Sequence, residues 1–281
     1  MESGSLTPPP PELPERPDGV ERGPAWPLWF AGVGFLVAMA ATLILVGIVA
    51  AIAGVEGDGE SPTFVVVGTL VQAIVFVVTA VVFAGFVAKP KAWHFGLRRT
   101  RFWPAVGWAA LGIVAFYMVT LAYSPLVPED VEQQVTDDLG ADEGTLGLIA
   151  AGVMVMVVAP VAEEFFFRGF FYRALRSRFS VAAAAIIDGL LFGIIHFNFE
   201  GADALLLLPP LALLGVIFCL VYEKTGSLFP VIGMHAFNNS VAYAAQADDG
   251  WQVSVALGPV VLAACMLAPR LFRPAAPPAP A

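Results

Sequence analysis

Residues 146–171 read LGLIAAGVMVMVVAPVAEEFFFRGFF, an unbroken apolar run except for Glu163, Glu164 and Arg168 near its far end. About 20 mostly apolar residues suffice for a helix to cross the hydrocarbon core of a bilayer. Seven further runs of that kind lie around it: Trp29 to Val55, Thr63 to Ala88, Trp103 to Tyr123, Ser180 to Phe197, Ala204 to Tyr222, Leu228 to Ala245 and Val253 to Leu271. The runs are continuous rather than alternating, so helices are expected and not a barrel. Composition agrees. Hydrophobic residues are 58% of the 281, charged residues 13%, and mean hydropathy is +0.80, whereas a soluble domain carries roughly 25% charge. The net charge of −9 speaks against a nucleic-acid partner. The expected fold is an all-α, polytopic membrane helix bundle of about eight transmembrane helices, with lipid as its first partner.

Cations set the orientation. Five Lys or Arg occupy Lys89 to Arg101, Arg173, Arg176 and Arg178 follow the fourth run, Lys224 follows the sixth, and Arg270 and Arg273 close the eighth. Connections after the first, third, fifth and seventh runs hold no Lys or Arg, only acids. That alternation predicts both termini in the cytoplasm. Trp26, Trp29, Trp93, Trp103 and Trp251 fall at run ends, where indole rings favour the headgroup layer.

The chain then divides into a Pro-rich acidic tail (1–25), three helices (26–145), a segment rich in buried ionisable residues (146–245), a last helix (246–272) and a Pro/Ala tail (273–281). Both tails are expected to be disordered. Cys219 and Cys265 lie inside apolar runs and read as packing residues rather than a disulfide.

Ionisable groups at bilayer depth cost about 2.5–3.5 kcal/mol each and usually serve a function. Helical spacing sorts those present. Glu164 and Arg168 are four apart and share a face, as do Phe192 and His196, and His235 and Asn239. Glu163 points about 100° away from Glu164, toward another helix. If the fourth and fifth runs turn near Phe179 and Ser180, Glu163 and His196 both lie about 24 Å from the tip at 1.5 Å per residue. That is roughly 10–15 Å below the cytoplasmic face, the depth at which His235 and Asn239 also fall. Asp188 reads as structural, with Arg168 or Arg173 as its partner. His94, in the basic connection, reads as a solvated interfacial histidine, and Pro160, Pro209 and Pro210 as kinks in their helices.

Three motifs run through these segments. EEFFFR fits E-E-x-x-x-R, FGIIH fits F-x-x-x-H, and HAFNN fits H-x-x-x-N. In this order, from Leu146 to Ala245, they resemble the CAAX protease and bacteriocin-processing family, which includes the type II CAAX prenyl endopeptidases and the bacterial Abi proteins. The resemblance implies an intramembrane endopeptidase. It makes Glu163 the base that activates water with His196, gives Glu164 and Arg168 orienting roles, and assigns His235 and Asn239 to the oxyanion. The family is commonly described as metalloproteases, so Glu163, His196 and His235 could hold one divalent, zinc-like metal; the same residues also serve a metal-free glutamate protease.

The residues support that chemistry independently. A carboxylate in an apolar site can shuttle protons near neutrality, and amide and imidazole donors can stabilise a tetrahedral oxyanion. No H-E-x-x-H, G-x-S-x-G or presenilin-type aspartyl motif is present. Two other classes stay open. A proton-coupled transporter predicts inverted repeats, which the sequence does not display, and a non-proteolytic membrane partner or chaperone would keep the cluster without turnover. The expected substrate is a membrane-associated peptide or protein cut near the cytoplasmic leaflet. The Ala-rich, Lys-poor composition suggests a bacterial inner membrane, and no residue pattern speaks to oligomeric state.

Overall fold

The computed structural model describes residues 24–54, 62–128, 144–196, 203–246 and 251–270, and every regular element among them is helical. Eight rods follow in order: α1 (Trp29–Ala53), α2 (Pro62–Gly85), α3 (Phe102–Tyr123), α4 (residues 145–175), α5 (Val181–Ile195), α6 (Leu208–Thr225), α7 (Leu228–Gln246) and α8 (Trp251–Leu267). Of these, α1 to α4 and α6 are each long and apolar enough to cross a membrane. Helices α5 and α8 are shorter apolar helices, and α7 carries His235, Asn238, Asn239 and Ser240 in a less apolar run. The protein is an all-α integral membrane bundle. The two expected tails, apart from Pro24 and Ala25, lie outside the described residues.

Helix α4 is the axis of the bundle. Its FFFRGFFY run is buried from Phe166 to Tyr172, and an aromatic chain joins it to the amino-terminal helices. Phe166 stacks on Phe76 of α2 at 4.7 Å between centroids, and Phe170 meets Phe30 of α1 at 6.1 Å and Phe83 of α2 at 5.8 Å. Two widened turns, Met154–Val158 and Phe167–Phe171, bracket the α-helical stretch Ala159–Phe166 that carries both glutamates. Such π turns add a residue without a break and re-aim the side chains beyond them.

Helices α5 and α6 cross with almost no side chain between them. A methyl added at Gly189 would lie 2.5 Å from the Ala212 carbonyl oxygen, and one at Gly215 would lie 2.7 Å from the Gly189 Cα. Small residues at such a crossing let backbones approach within a membrane. Ser180 starts α5, its hydroxyl accepting from the Ala183 N–H at 3.2 Å. The helix then stops after 15 residues, about 22 Å, well short of a roughly 30 Å hydrocarbon core.

The basic connections gather at one end. The Ser227 hydroxyl donates to the Arg98 carbonyl at 2.8 Å, the Leu228 N–H to the Gly96 carbonyl at 2.9 Å, and the Thr100 hydroxyl to the Thr225 carbonyl at 2.9 Å. Arg176 and Tyr172 both donate to the Glu223 carboxylate, closing α4 against α6. This is the end that the positive-inside rule assigns to the cytoplasm in the sequence-based expectation.

Three expectations are corrected. His94 is buried, not solvated: its ring lies edge-on to Trp93 at 4.3 Å and to Trp26 at 6.4 Å, and its Nδ1 accepts from the Lys91 N–H. Burial, then repulsion from Arg173 and Lys91, lowers its pKa. Trp26 is likewise 1% exposed rather than in the headgroup layer, packed on Phe95 and under the Arg173 guanidinium; Trp29, Trp103 and Trp251 are exposed as expected. Pro209 and Pro210 do not kink α6 but occupy its first turn, where a missing N–H costs no hydrogen bond. Both cysteines are free, Cys219 buried and Cys265 half-buried.

Replacing Gly189 by Ala should destabilise the protein by about 1–3 kcal/mol, because the methyl meets backbone that cannot yield. Thermal unfolding in mild detergent measures it, and an unchanged midpoint would contradict the close crossing.

Candidate active site

The widened turns of α4 leave Glu163 and Glu164 inside the bundle, pointing at different neighbours. Glu163 faces the end of α5 and the middle of α7. Its Oε2 lies 3.5 Å from His196 Nε2 and 3.7 Å from His235 Nε2. This oxygen is buried and has no hydrogen-bond partner among the described residues. A buried acceptor of that kind calls for a water or ligand donor. The His196 side chain is 28% exposed and Glu163 11%, against 3% for His235 and 0% for Glu164, so the approach to the cluster lies over the end of α5.

Hydrogen bonds at the far ring nitrogens fix the histidines. His196 Nδ1 lies 2.7 Å from the Phe192 carbonyl oxygen, one turn back on its own helix. A carbonyl only accepts, so Nδ1 carries the proton and Nε2 turns toward Glu163. His235 Nδ1 lies 2.8 Å from Glu164 Oε1 and is likewise the donor to a carboxylate. Both rings thus offer Nε2 to one glutamate oxygen.

Behind this face is a second layer with no exposure at all. Arg168 Nη1 donates to Glu164 Oε1 at 2.9 Å, and Nη2 to the Gly215 carbonyl of α6 at 2.9 Å, with Asp188 Oδ1 of α5 at 3.5 Å. Phe192 and Phe218 flank the guanidinium at 4.5 and 5.1 Å. Desolvating charges in this way is tolerable only with such pairing. The expected Asp188–Arg168 pair is therefore present, although Asp188 lies at a longer separation than Glu164.

Asn239 occupies the same stripe as His235, one turn on. Its Nδ2 donates to the Val155 carbonyl at 2.9 Å, within the first widened turn of α4. An amide nitrogen has two N–H groups, so this bond orients the side chain and leaves the second donor. The neighbouring Asn238 accepts from the Tyr117 hydroxyl of α3 at 3.3 Å.

The three motifs did not contain Gly215, Phe218 or Cys219, whose thiol packs against Arg168 and Asp188. The Gly189-x-x-x-Gly193 spacing, matched by Ala212-x-x-Gly215, was the available signal for the close approach that brings the Gly215 carbonyl to Arg168. Among the described residues, no group of three or more His, Cys, Asp and Glu side chains is drawn together as a metal centre. The donor types of Glu163, His196 and His235 do suit a divalent ion, since rings held at Nδ1 by a carbonyl or carboxylate are the usual metal-binding arrangement.

Comparison with known proteins places these residues in a family context. Residues 145–241, which include all seven residues of the motif trio, match the model of the family described as Type II CAAX prenyl endopeptidase Rce1-like. The match bears out the resemblance read from the motifs. Comparison with curated proteins and with solved structures gives no match.

Arg168→Met alone would strand two buried carboxylates and should cost about 3–5 kcal/mol. Chemical unfolding in detergent micelles measures this, and a loss below about 1 kcal/mol would contradict the charged triad.

Proposed function

We propose that this protein is an intramembrane endopeptidase that hydrolyses a peptide bond of a membrane-associated peptide or protein near the cytoplasmic leaflet. The observation that carries the reading is the approach of one glutamate oxygen, Glu163 Oε2, to two imidazole Nε2 atoms at 3.5 and 3.7 Å inside an apolar bundle.

In this reading a water sits among the three groups. His196, with Nδ1–H engaged by the Phe192 carbonyl, accepts one water hydrogen bond at Nε2. Glu163 takes the proton as the oxygen attacks the scissile carbonyl carbon, a general-base role worth about 10²–10⁴ in rate. The carbonyl π electrons move onto oxygen. His235, held by the Glu164 carboxylate, donates from Nε2 to that oxyanion when it carries both protons, and the second Asn239 N–H adds a further donor. Each such donor is worth about 10²–10³. The C–N bond then breaks and Glu163 returns its proton to the leaving amine. Glu164 and Arg168 orient His235 and do not touch the substrate.

A zinc-like ion is the second reading, favoured by the two anchored Nδ1 atoms. Glu163, His196 and His235 would hold it, and it would polarise the carbonyl and acidify bound water. Metal analysis of the purified protein, with activity before and after chelation, separates the two: full activity without bound metal leaves the glutamate route. We place the protein in a bacterial inner membrane on its composition.

Glu163→Gln and His196→Ala should each reduce cleavage of an internally quenched prenylated CAAX peptide by at least about 10²-fold, with unchanged helicity and elution in detergent. Membranes containing the Glu163→Gln protein should also accumulate uncleaved precursors, detectable by comparative proteomics. Wild-type rates in both variants would remove Glu163 and His196 from the chemistry, and a cellular phenotype that survives both substitutions would favour the partner or chaperone reading.

A further inference from the structure

Asp188 lies in none of the three motifs, yet its carboxylate is fully buried and no N–H or hydroxyl group among the described residues donates to either oxygen. Its contacts are an ion pair with Arg168 at 3.5 Å and the Cys219 thiol. A buried ion pair with so little hydrogen bonding contributes little to stability, and an apolar pair of the same volume often does better. Structural glue does not account for it.

Its place in the helix does. Asp188, Phe192 and His196 follow at four-residue steps on one stripe of α5. Arg168 of α4 lies against that stripe: its guanidinium sits over Phe192 at 4.5 Å and over Phe218 at 5.1 Å. Those rings in turn touch the imidazoles, Phe192 meeting His196 at 4.5 Å and Phe218 meeting His235 at 5.1 Å. Through Nη1 the same guanidinium holds Glu164, which holds His235. One cation therefore backs both histidines. Its Nη2 donates to the Gly215 carbonyl and faces Asp188.

We propose that Asp188 is a positioning residue for the hydrolytic site. By pulling Arg168 toward α5 it prevents the guanidinium from closing wholly onto Glu164, and so sets the orientation of the His235 ring and the surface on which His196 rests. This inference rests on the hydrolase reading for its consequence in rate, but not for its consequence in geometry. The charged and titratable groups around Asp188 are Arg168 and Glu164 from α4 and Cys219 from α6.

The test uses the full chain in lipid nanodiscs with ¹⁵N-labelled histidine; only His94, His196 and His235 contribute signals. Asp188→Asn keeps the shape and removes the charge. The expected result is a displaced His235 Nδ1–H resonance with an unmoved His94 signal. In parallel, kcat for the quenched prenylated CAAX peptide should fall about 10–100-fold with KM within about 2-fold, since no group touching substrate is altered. If Asp188→Asn does not accumulate, Arg168→Lys carries the same expectation, because an ammonium cannot span both carboxylates and the Gly215 carbonyl. An unmoved His235 resonance in either folded variant overturns the inference. A wild-type protein that cleaves neither the peptide nor any precursor in its own membranes overturns the hydrolase reading alone, since the resonance still decides the role of Asp188.

Discussion

One guanidinium in an apolar interior organises this molecule. Arg168 is fully buried and shared among Glu164, Asp188 and the Gly215 carbonyl, and no arrangement in lipid could leave it unpaired. Its partners come from α4, α5 and α6, and through Glu164 the constraint reaches His235 on α7. Meeting it fixes the relative rotation of four helices. The close α5–α6 crossing at Gly189 and Gly215 is part of the same solution, because the Gly215 carbonyl reaches Arg168 only if the backbones nearly touch.

The aromatic run of α4 supplies what polar bonding does not. In a bilayer there is little hydrophobic drive between helices, and packing does more of the work. Phe166, Phe167 and Phe170 lock α4 to α1 and α2 through stacked and edge-on rings. At the basic end, the turn at Ala92–Phe95 adds a second clamp, with Phe95 stacked on Phe165 at 4.4 Å. Phe165 lies two positions beyond Glu163, so this clamp acts on the site's own helix.

Much of this was legible in the sequence because charges stand out against an apolar background. Glu163, Glu164, Arg168, Asp188, His196 and His235 had no surface to occupy, and the hairpin register gave Glu163 and His196 a common depth; in the structure their side chains meet at 3.5 Å. What escaped has no residue-type signature. A backbone carbonyl such as Gly215 or Val155 is chemically the same at every position, and only the crossing or a widened turn makes it a partner. His94 was misread for a related reason. Its neighbours Trp26 and Arg173 come from distant parts of the chain, and nothing local to Lys89–Arg101 announces that they will cover it. The proline pair at 209–210 was read as a kink because the start of α6 is set by the turn Asp203–Leu207 before it, not by hydropathy.

The brevity of α5 has a further consequence. A helix that ends at His196, after only 15 residues, hands its last carbonyls to local donors: the Phe192 carbonyl takes the His196 Nδ1–H and the Gly193 carbonyl the His196 N–H. Oil cannot satisfy them; only protein donors or solvent at that level can. The imidazole tied to that helix end is more open than the carboxylate it faces, 28% exposed against 11%. A hydrolase must bring its second reactant, H₂O, into a medium that excludes it, and a helix that stops early puts the opening of the cluster beside the ring that would receive it.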